Sequence, residues 1–184
     1  NNKKKTLKIF DQILSASKSL RFKYIVVPLV DKSSVKLKKD LNNIIDFFCD
    51  IDSRNKKNSY TKILFETDFS PQRQLNFINS FPLNRFGINY DTGNSAHNGF
   101  DLFDEFKAYG KYIENIHIKD RYFRGQSVRL GGGDFNFPLF FDLLKKYNYN
   151  GNLILQTAKS IDHINELKRN IKYLISITNK KKRV

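Results

Sequence analysis

The sequence has one cysteine, three histidines and no long apolar run. A lone cysteine cannot close an internal disulfide, so the fold must be held by its core, and a reducing compartment is the simplest setting. Cys49 itself lies in an apolar helical stretch and reads as a small core residue. No apolar stretch nears the ~20 residues that would span a bilayer. The first residues are too polar for a secretory signal, so the expectation is a cytoplasmic protein with no membrane contact.

Acidic residues are also scarce. There are 18 Asp and Glu against 33 Lys and Arg, a net charge of +15. Such a balance raises nucleic acid, an anionic surface or a phosphorylated substrate as partners. Much of the excess falls in clusters at Lys3–Lys5, at Lys36, Lys38 and Lys39, at Lys56 and Lys57, and at Lys180–Arg183. That distribution reads as a solvated, lysine-rich surface, and a nucleic-acid module rests on net charge alone. The 17 Phe and 9 Tyr mostly follow helical or strand periods, which marks them as core rather than as stacking platforms for bases.

Short apolar runs of strand length alternate with longer stretches of helical period, the pattern of a parallel sheet covered by helices. Helices are expected over residues 6–20, 35–51, 71–81, 102–109, 138–147 and 162–177. Strands are expected over 24–30, 62–65, 86–90, 113–118 and 153–155. Pro28 suggests that the first strand ends there or lies at an edge. Ser70 and Asp101 stand at helix N-cap positions, with Pro71 in the first turn of its helix. A long loop with several glycines fills 120–134, and no internal linker divides the chain. The reading is one α/β domain over 1–184 with a basic tail at 178–184. Periodicity alone does not separate an open doubly wound sheet from part of a closed barrel.

The residues that end the strands carry more information, because function in parallel α/β folds gathers at the C-terminal ends of strands. Ile63-Leu64-Phe65 ends in Glu66, Ile88-Asn89-Tyr90 in Asp91, Asn115-Ile116 in His117, and Leu153-Ile154-Leu155 in Gln156. Glu66, Asp91 and His117 succeed one another at the spacing of one βα unit. Two carboxylates and an imidazole converging from neighbouring strands suit a divalent cation such as Mn²⁺, Co²⁺, Mg²⁺ or Zn²⁺. Taken singly, a strand-end Glu or Asp is more often a helix cap or ion-pair partner, and a single His is more often structural.

The segments Phe65-Glu66-Thr67, Asp91-Thr92-Gly93-Asn94, His117-Ile118-Lys119-Asp120 and Leu130-Gly131-Gly132-Gly133-Asp134 occur in that order. Together with the turn Tyr149-Asn150-Gly151 before the last strand, they resemble the motifs of the xylose isomerase-like TIM-barrel superfamily, in its sugar phosphate isomerase/epimerase branch. The resemblance runs from near residue 20 to the end of the chain. It implies a (β/α) barrel and a divalent metal, Mn²⁺ foremost, with proton transfer beside the carbonyl of a small sugar or sugar phosphate through a metal-stabilised enediolate. By the same resemblance Glu66 is ligand and base, and Asp91 and His117 are ligands. Lys119 and Arg129 are candidates for substrate oxygens or a phosphate, although surface ion pairs account for them equally well. His97, in the loop after Asp91, is a further candidate for substrate contact. The DNA-repair branch of the superfamily relies on several histidines, and three are too few for it.

Two departures from the family pattern stand out. Where the pattern has a second metal-binding, catalytic Glu, this chain has Gln156, whose amide coordinates weakly and accepts no proton near neutral pH. Asn94 likewise stands where some members carry a His, which leaves hydrogen bonding to substrate but no acid–base work. The other departure is in strand number: five strands are expected here against eight in the family, the three N-terminal ones lacking. A truncated or split barrel is therefore favoured over a self-sufficient sheet, its edges covered by a second copy or a complementing N-terminal fragment. The alternative to an enzyme is a non-catalytic relative that binds a carbohydrate or a partner.

Overall fold

A computed structural model describes residues 2–55, 60–156, 158 and 161–179. In chain order the elements are α1 (Asn2–Ser19), β1 (Tyr24–Leu29), α2 (Lys38–Arg54), β2 (Lys62–Thr67), α3 (Pro71–Ile78), β3 (Phe86–Asp91), α4 (Thr92–Asn98), α5 (Leu102–Tyr109), β4 (Ile113–Ile118), β5 (Asp120–Arg121), β6 (Ser127–Val128), α6 (Phe137–Lys146), β7 (Asn152–Leu155) and α7 (His163–Asn179). Five strands form one parallel sheet in the order β1-β2-β3-β4-β7. Helices flank it, as in a TIM barrel, but among the described residues the ring is not closed. No helix among them is long and apolar enough to cross a membrane.

Strand β2 forms where the sequence is apolar on both faces, whereas β3 and β4 are apolar on one face and carry Asn89, Asp91, Asn115 and His117 on the other. Leu64 and Phe65 of β2 and Ile116 and Ile118 of β4 are fully buried, β2 being packed against helices on its outer face and against its neighbours within the sheet. Phe65 is the hub of the larger aromatic cluster. Its ring centroid lies 4.9 Å from both Phe48 and Phe77, 5.0 Å from Phe81 and 5.7 Å from Phe86. A second cluster of Tyr90, Phe106 and Phe140 packs α5 and α6 onto β3. These two groups fix the outer helices and so fix where the strand ends emerge.

Both edges of the sheet lack a strand partner among the described residues. Pro28, which has no N–H to give to a ladder, sits on the exposed edge strand β1. At the other edge Leu153 and Ile154 of β7 are 41% and 45% exposed. On α7, Ile164, Leu167, Ile171 and Ile175 form an exposed apolar row.

The structure corrects several expectations. The polar stretch after Asp91 is a helix, α4, and the loop after β4 contains the antiparallel hairpin β5–β6. Cys49 is exposed, because it faces away from the stripe that buries Phe48 and Ile51. The Ser70 side chain makes no capping bond, whereas that of Asp101 accepts from the Asp104 N–H. Helix α3 stops at Ile78, and Ser80 and Phe81 turn back onto the carbonyls of Phe77 and Ile78. Helix α7 continues to Asn179; the rest of the expected basic tail, 180–184, and Lys56 and Lys57 lie outside the described residues.

Candidate metal centre

Glu66, Asp91 and His117 stand at or near the C-terminal ends of the adjacent strands β2, β3 and β4, and Asp91 is directly paired with His117 in the ladder. One donor atom from each lies within 4.8 Å of the others. His117 Nδ1 is 3.1 Å from Glu66 Oε2 and 4.0 Å from Asp91 Oδ2. Donors sharing one small divalent ion at ~2.0–2.3 Å are themselves roughly 3–4 Å apart, so these spacings fit.

Each side chain is held from behind. Asp91 is also the N-cap of α4, and its Oδ1 accepts the Asn94 N–H at 2.9 Å. Its Oδ2 is buried with no hydrogen-bond partner among the described residues, a costly condition for a carboxylate oxygen and one that a cation would relieve. Glu66 accepts from two amides, Asn89 Nδ2 at 2.7 Å and Asn94 Nδ2 at 3.2 Å. Asn89 Nδ2 also lies 3.1 Å from His117 Nδ1, and Asn89 Oδ1 in turn accepts from Asn115.

The electrostatics reflect buried, crowded carboxylates. Burial, and then the charge of Glu66, push the Asp91 carboxyl up to about 6. His117 is raised above its ordinary value, chiefly by its hydrogen bond to Glu66. Lys119 contributes positive charge that favours ionised Asp91. Its backbone is pinned by Thr92, whose hydroxyl accepts the Lys119 N–H at 2.8 Å and donates to the Lys119 carbonyl. Two carboxylates and one imidazole, together with the unpartnered buried oxygen, fit a divalent metal.

The remaining candidates are placed differently. The Gln156 N–H donates to the Ile118 carbonyl at 3.0 Å, which extends the β4–β7 ladder, while the residue itself is exposed and one position beyond β7. The Asn94 side chain faces Glu66. His97 lies on α4, with Nδ1 3.2 Å from the Gly125 carbonyl in the hairpin turn, so that nitrogen is the donor. Arg129 grips Glu166 of α7 through two bonds of 2.7 and 3.0 Å, in keeping with the ion-pair account of it.

Three supporting residues went unnoticed in the sequence. Asn89 and Asn115 interrupt apolar strands at the inward positions, which was the available signal. Asp120 is fully buried and accepts the N–H groups of Gly131, Gly133 and Phe135 at 2.9, 3.0 and 3.3 Å, so it folds the glycine-rich segment back onto the end of β4. A side chain at Gly133 would collide with that carboxylate and with the Arg121 carbonyl.

Solved structures share this architecture. A xylose isomerase domain protein from Planctomyces limnophilus superposes with a TM-score of 0.79 at 18% identity, over 95% of this chain and 66% of that one. A D-tagatose 3-epimerase-like protein gives 0.74 at 20% identity, over 97% and 71%. The IOLI protein, solved with a bound zinc atom, gives 0.76 at 18% identity, over 94% and 69%. Among curated proteins, inosose dehydratase of Mesomycoplasma hyopneumoniae is 33% identical over 110 residues, taking in 48% of this chain and 37% of that enzyme. The chain thus spans just over a third of the curated relatives it matches and about two thirds of the solved ones. The model of the xylose isomerase-like TIM barrel family matches residues 1–177, and the chain belongs to that family.

Proposed function

We propose that this chain carries the metal-binding part of an isomerase or epimerase acting beside the carbonyl of a small sugar, sugar phosphate or related polyol ketone. The observation that carries the reading is the convergence of Glu66, Asp91 and His117 around a buried Asp91 oxygen that has no hydrogen-bond partner among the described residues. Glu66, Asp91 and His117 would hold the ion, with Mn²⁺ foremost and Co²⁺, Mg²⁺ and Zn²⁺ as alternatives. Glu66, steadied by two amide donors, is the group set to take the proton from the carbon next to the carbonyl. A bound divalent ion supplies Lewis-acid stabilisation of the enediolate charge left on the substrate oxygens. Lys119 adds positive charge at the same strand end. A complementing βα segment, supplying strands beyond β1 and β7, is part of this reading. The relatedness to an inosose dehydratase extends the substrate class to cyclic polyol ketones.

The test is calorimetric titration of Mn²⁺ and Co²⁺ into metal-stripped protein, with His117→Ala alongside, followed by a screen of sugar phosphates and polyol ketones with Glu66→Gln as control. Saturable binding lost in His117→Ala, and turnover lost in Glu66→Gln, are expected. A folded wild type that takes up neither metal would sink the reading. A second reading, a non-catalytic binder, is favoured by Gln156, which stands at a strand end and cannot accept a proton. It predicts sugar binding without turnover.

A further inference from the structure

Behind the candidate metal centre lies a carboxylate that takes no part in it. Glu105 of α5 is 1% exposed, and no ion pair reaches it among the described residues. Three hydroxyls converge on it instead. Tyr90 and Ser95 both donate to Oε2, at 2.7 and 2.6 Å, and Tyr109 donates to Oε1 at 2.6 Å. A carboxylate buried without a cation is costly, and apolar packing at this position would do as well if filling space were its whole task.

The partners it selects are informative. Tyr90 is the residue before Asp91, and Ser95 is the residue after Asn94. One buried oxygen therefore grips both ends of the turn that runs from the last residues of β3 into α4. That turn supplies the Asp91 carboxylate and the Asn94 amide that donates to Glu66. Tyr109, by contrast, lies on the same helix as Glu105 and touches no part of the turn through this bond.

Taking the metal centre proposed above as given, we infer that Glu105 is a positioning residue for it, a buried clamp that holds Asp91 and Asn94 in register with Glu66 through Tyr90 and Ser95. Outer hydrogen-bond partners of metal ligands typically set affinity by ~10–100-fold, and this clamp acts one bond further out, so a loss of about tenfold is the expected scale.

The asymmetry among the three donors supplies the test. Mn²⁺ is titrated calorimetrically into metal-stripped wild type, Glu105→Gln, Ser95→Ala, Tyr90→Phe and Tyr109→Phe, with thermal unfolding recorded for each. The clamp predicts that Ser95→Ala and Tyr90→Phe weaken Mn²⁺ by about tenfold, on the outer-shell scale above. Tyr109→Phe, which removes an equally short bond to the same carboxylate, leaves affinity unchanged whatever it does to the melting temperature. Ser95→Ala and Tyr90→Phe carry the test even if Glu105→Gln fails to fold. Wild-type affinity in both turn variants, or an equal loss in Tyr109→Phe, overturns the clamp while the metal centre stands. A wild type that binds no Mn²⁺ overturns both.

Discussion

Asn115 donates its side-chain amide to Asn89 Oδ1 at 2.6 Å, and that bond decides which way the Asn89 amide faces. With its oxygen engaged, Asn89 turns its NH₂ toward Glu66 and His117. An amide nitrogen only donates, so Asn89 gives a proton to Glu66 and meets a lone pair on His117 Nδ1 only when that nitrogen is not itself donating to Glu66. Asn115→Ala removes this constraint. Mn²⁺ affinity should fall by about tenfold, as for other outer-shell partners, with circular dichroism unchanged. Unaltered affinity would show that the Asn89 amide holds its direction without Asn115.

Gln156 lies two residues beyond Ile154, which pairs with His117, so strand alternation carries it toward the same face as the imidazole. Gln156→Glu would add a negative oxygen there. We expect Mn²⁺ to bind roughly tenfold more tightly, since carboxylate count tunes affinity for hard cations. Unchanged or weaker binding would place residue 156 outside the centre.

Glu105 should leave a signature in stability against pH. Burial raises its carboxyl above the ordinary value of 4.5, despite the three hydroxyl donors. A folded value above the unfolded one means that the native state binds the proton more tightly. The associated stabilisation is therefore complete below about pH 4.5 and is lost as pH rises through the folded value. Other carboxylates superimpose their own dependence, so the contrast with Glu105→Gln is the quantity to follow. In urea unfolding, wild type should lose ground relative to the variant between pH 4.5 and neutrality. A difference that stays flat, or runs the other way, would contradict this.

The exposed Cys49 thiol should react with Ellman's reagent in the native state without denaturant. Partial burial and the neighbouring Asp46 and Asp52 raise its pKa, so the rate should be below that of a free thiol at the same pH. Cys49→Ser should change stability by less than ~0.5 kcal/mol. Reaction only after unfolding would return Cys49 to the core.

Phe65 is fully buried and contacts four other phenylalanine rings. Phe65→Ala should cost ~3–5 kcal/mol in denaturant unfolding. Because Glu66 follows it directly, the folded fraction that remains should also bind Mn²⁺ less tightly. A loss below about 1 kcal/mol would mean the cluster closes over the cavity.

The strands were legible because a strand buried on both faces needs an apolar run such as Ile63-Leu64-Phe65, while β4 keeps strand alternation, with Ile116 and Ile118 on one face and His117 on the other. The three ligand candidates were legible because polar residues ending such runs are placed by the fold itself. Helix α4 escaped notice for the opposite reason. Thr92-Gly93-Asn94-Ser95-Ala96-His97-Asn98 has no apolar stripe, since it is buried among polar partners and held by the Asp91 cap. The hairpin in the loop after β4 uses strands of two residues, too short for any periodicity to show. Cys49 misled because an amphipathic helix such as α2 presents small residues on either face. Glu105 was invisible because a glutamate in the first turn of a helix is ordinarily a solvated partner of the helix dipole.

The uniform direction of the strands has a consequence for symmetry. An isologous pairing of two copies sets like edges together, β7 against β7 or β1 against β1, and across such a two-fold the strands run antiparallel. A barrel of this family extends only by parallel neighbours, so a two-fold dimer would seal an edge without carrying the ring forward. A neighbour that continues the ring must offer unlike edges, one to β1 and another to β7, which is a head-to-tail relationship. The open sheet is therefore a polar object, one that discriminates between a twin and a complement by strand direction alone.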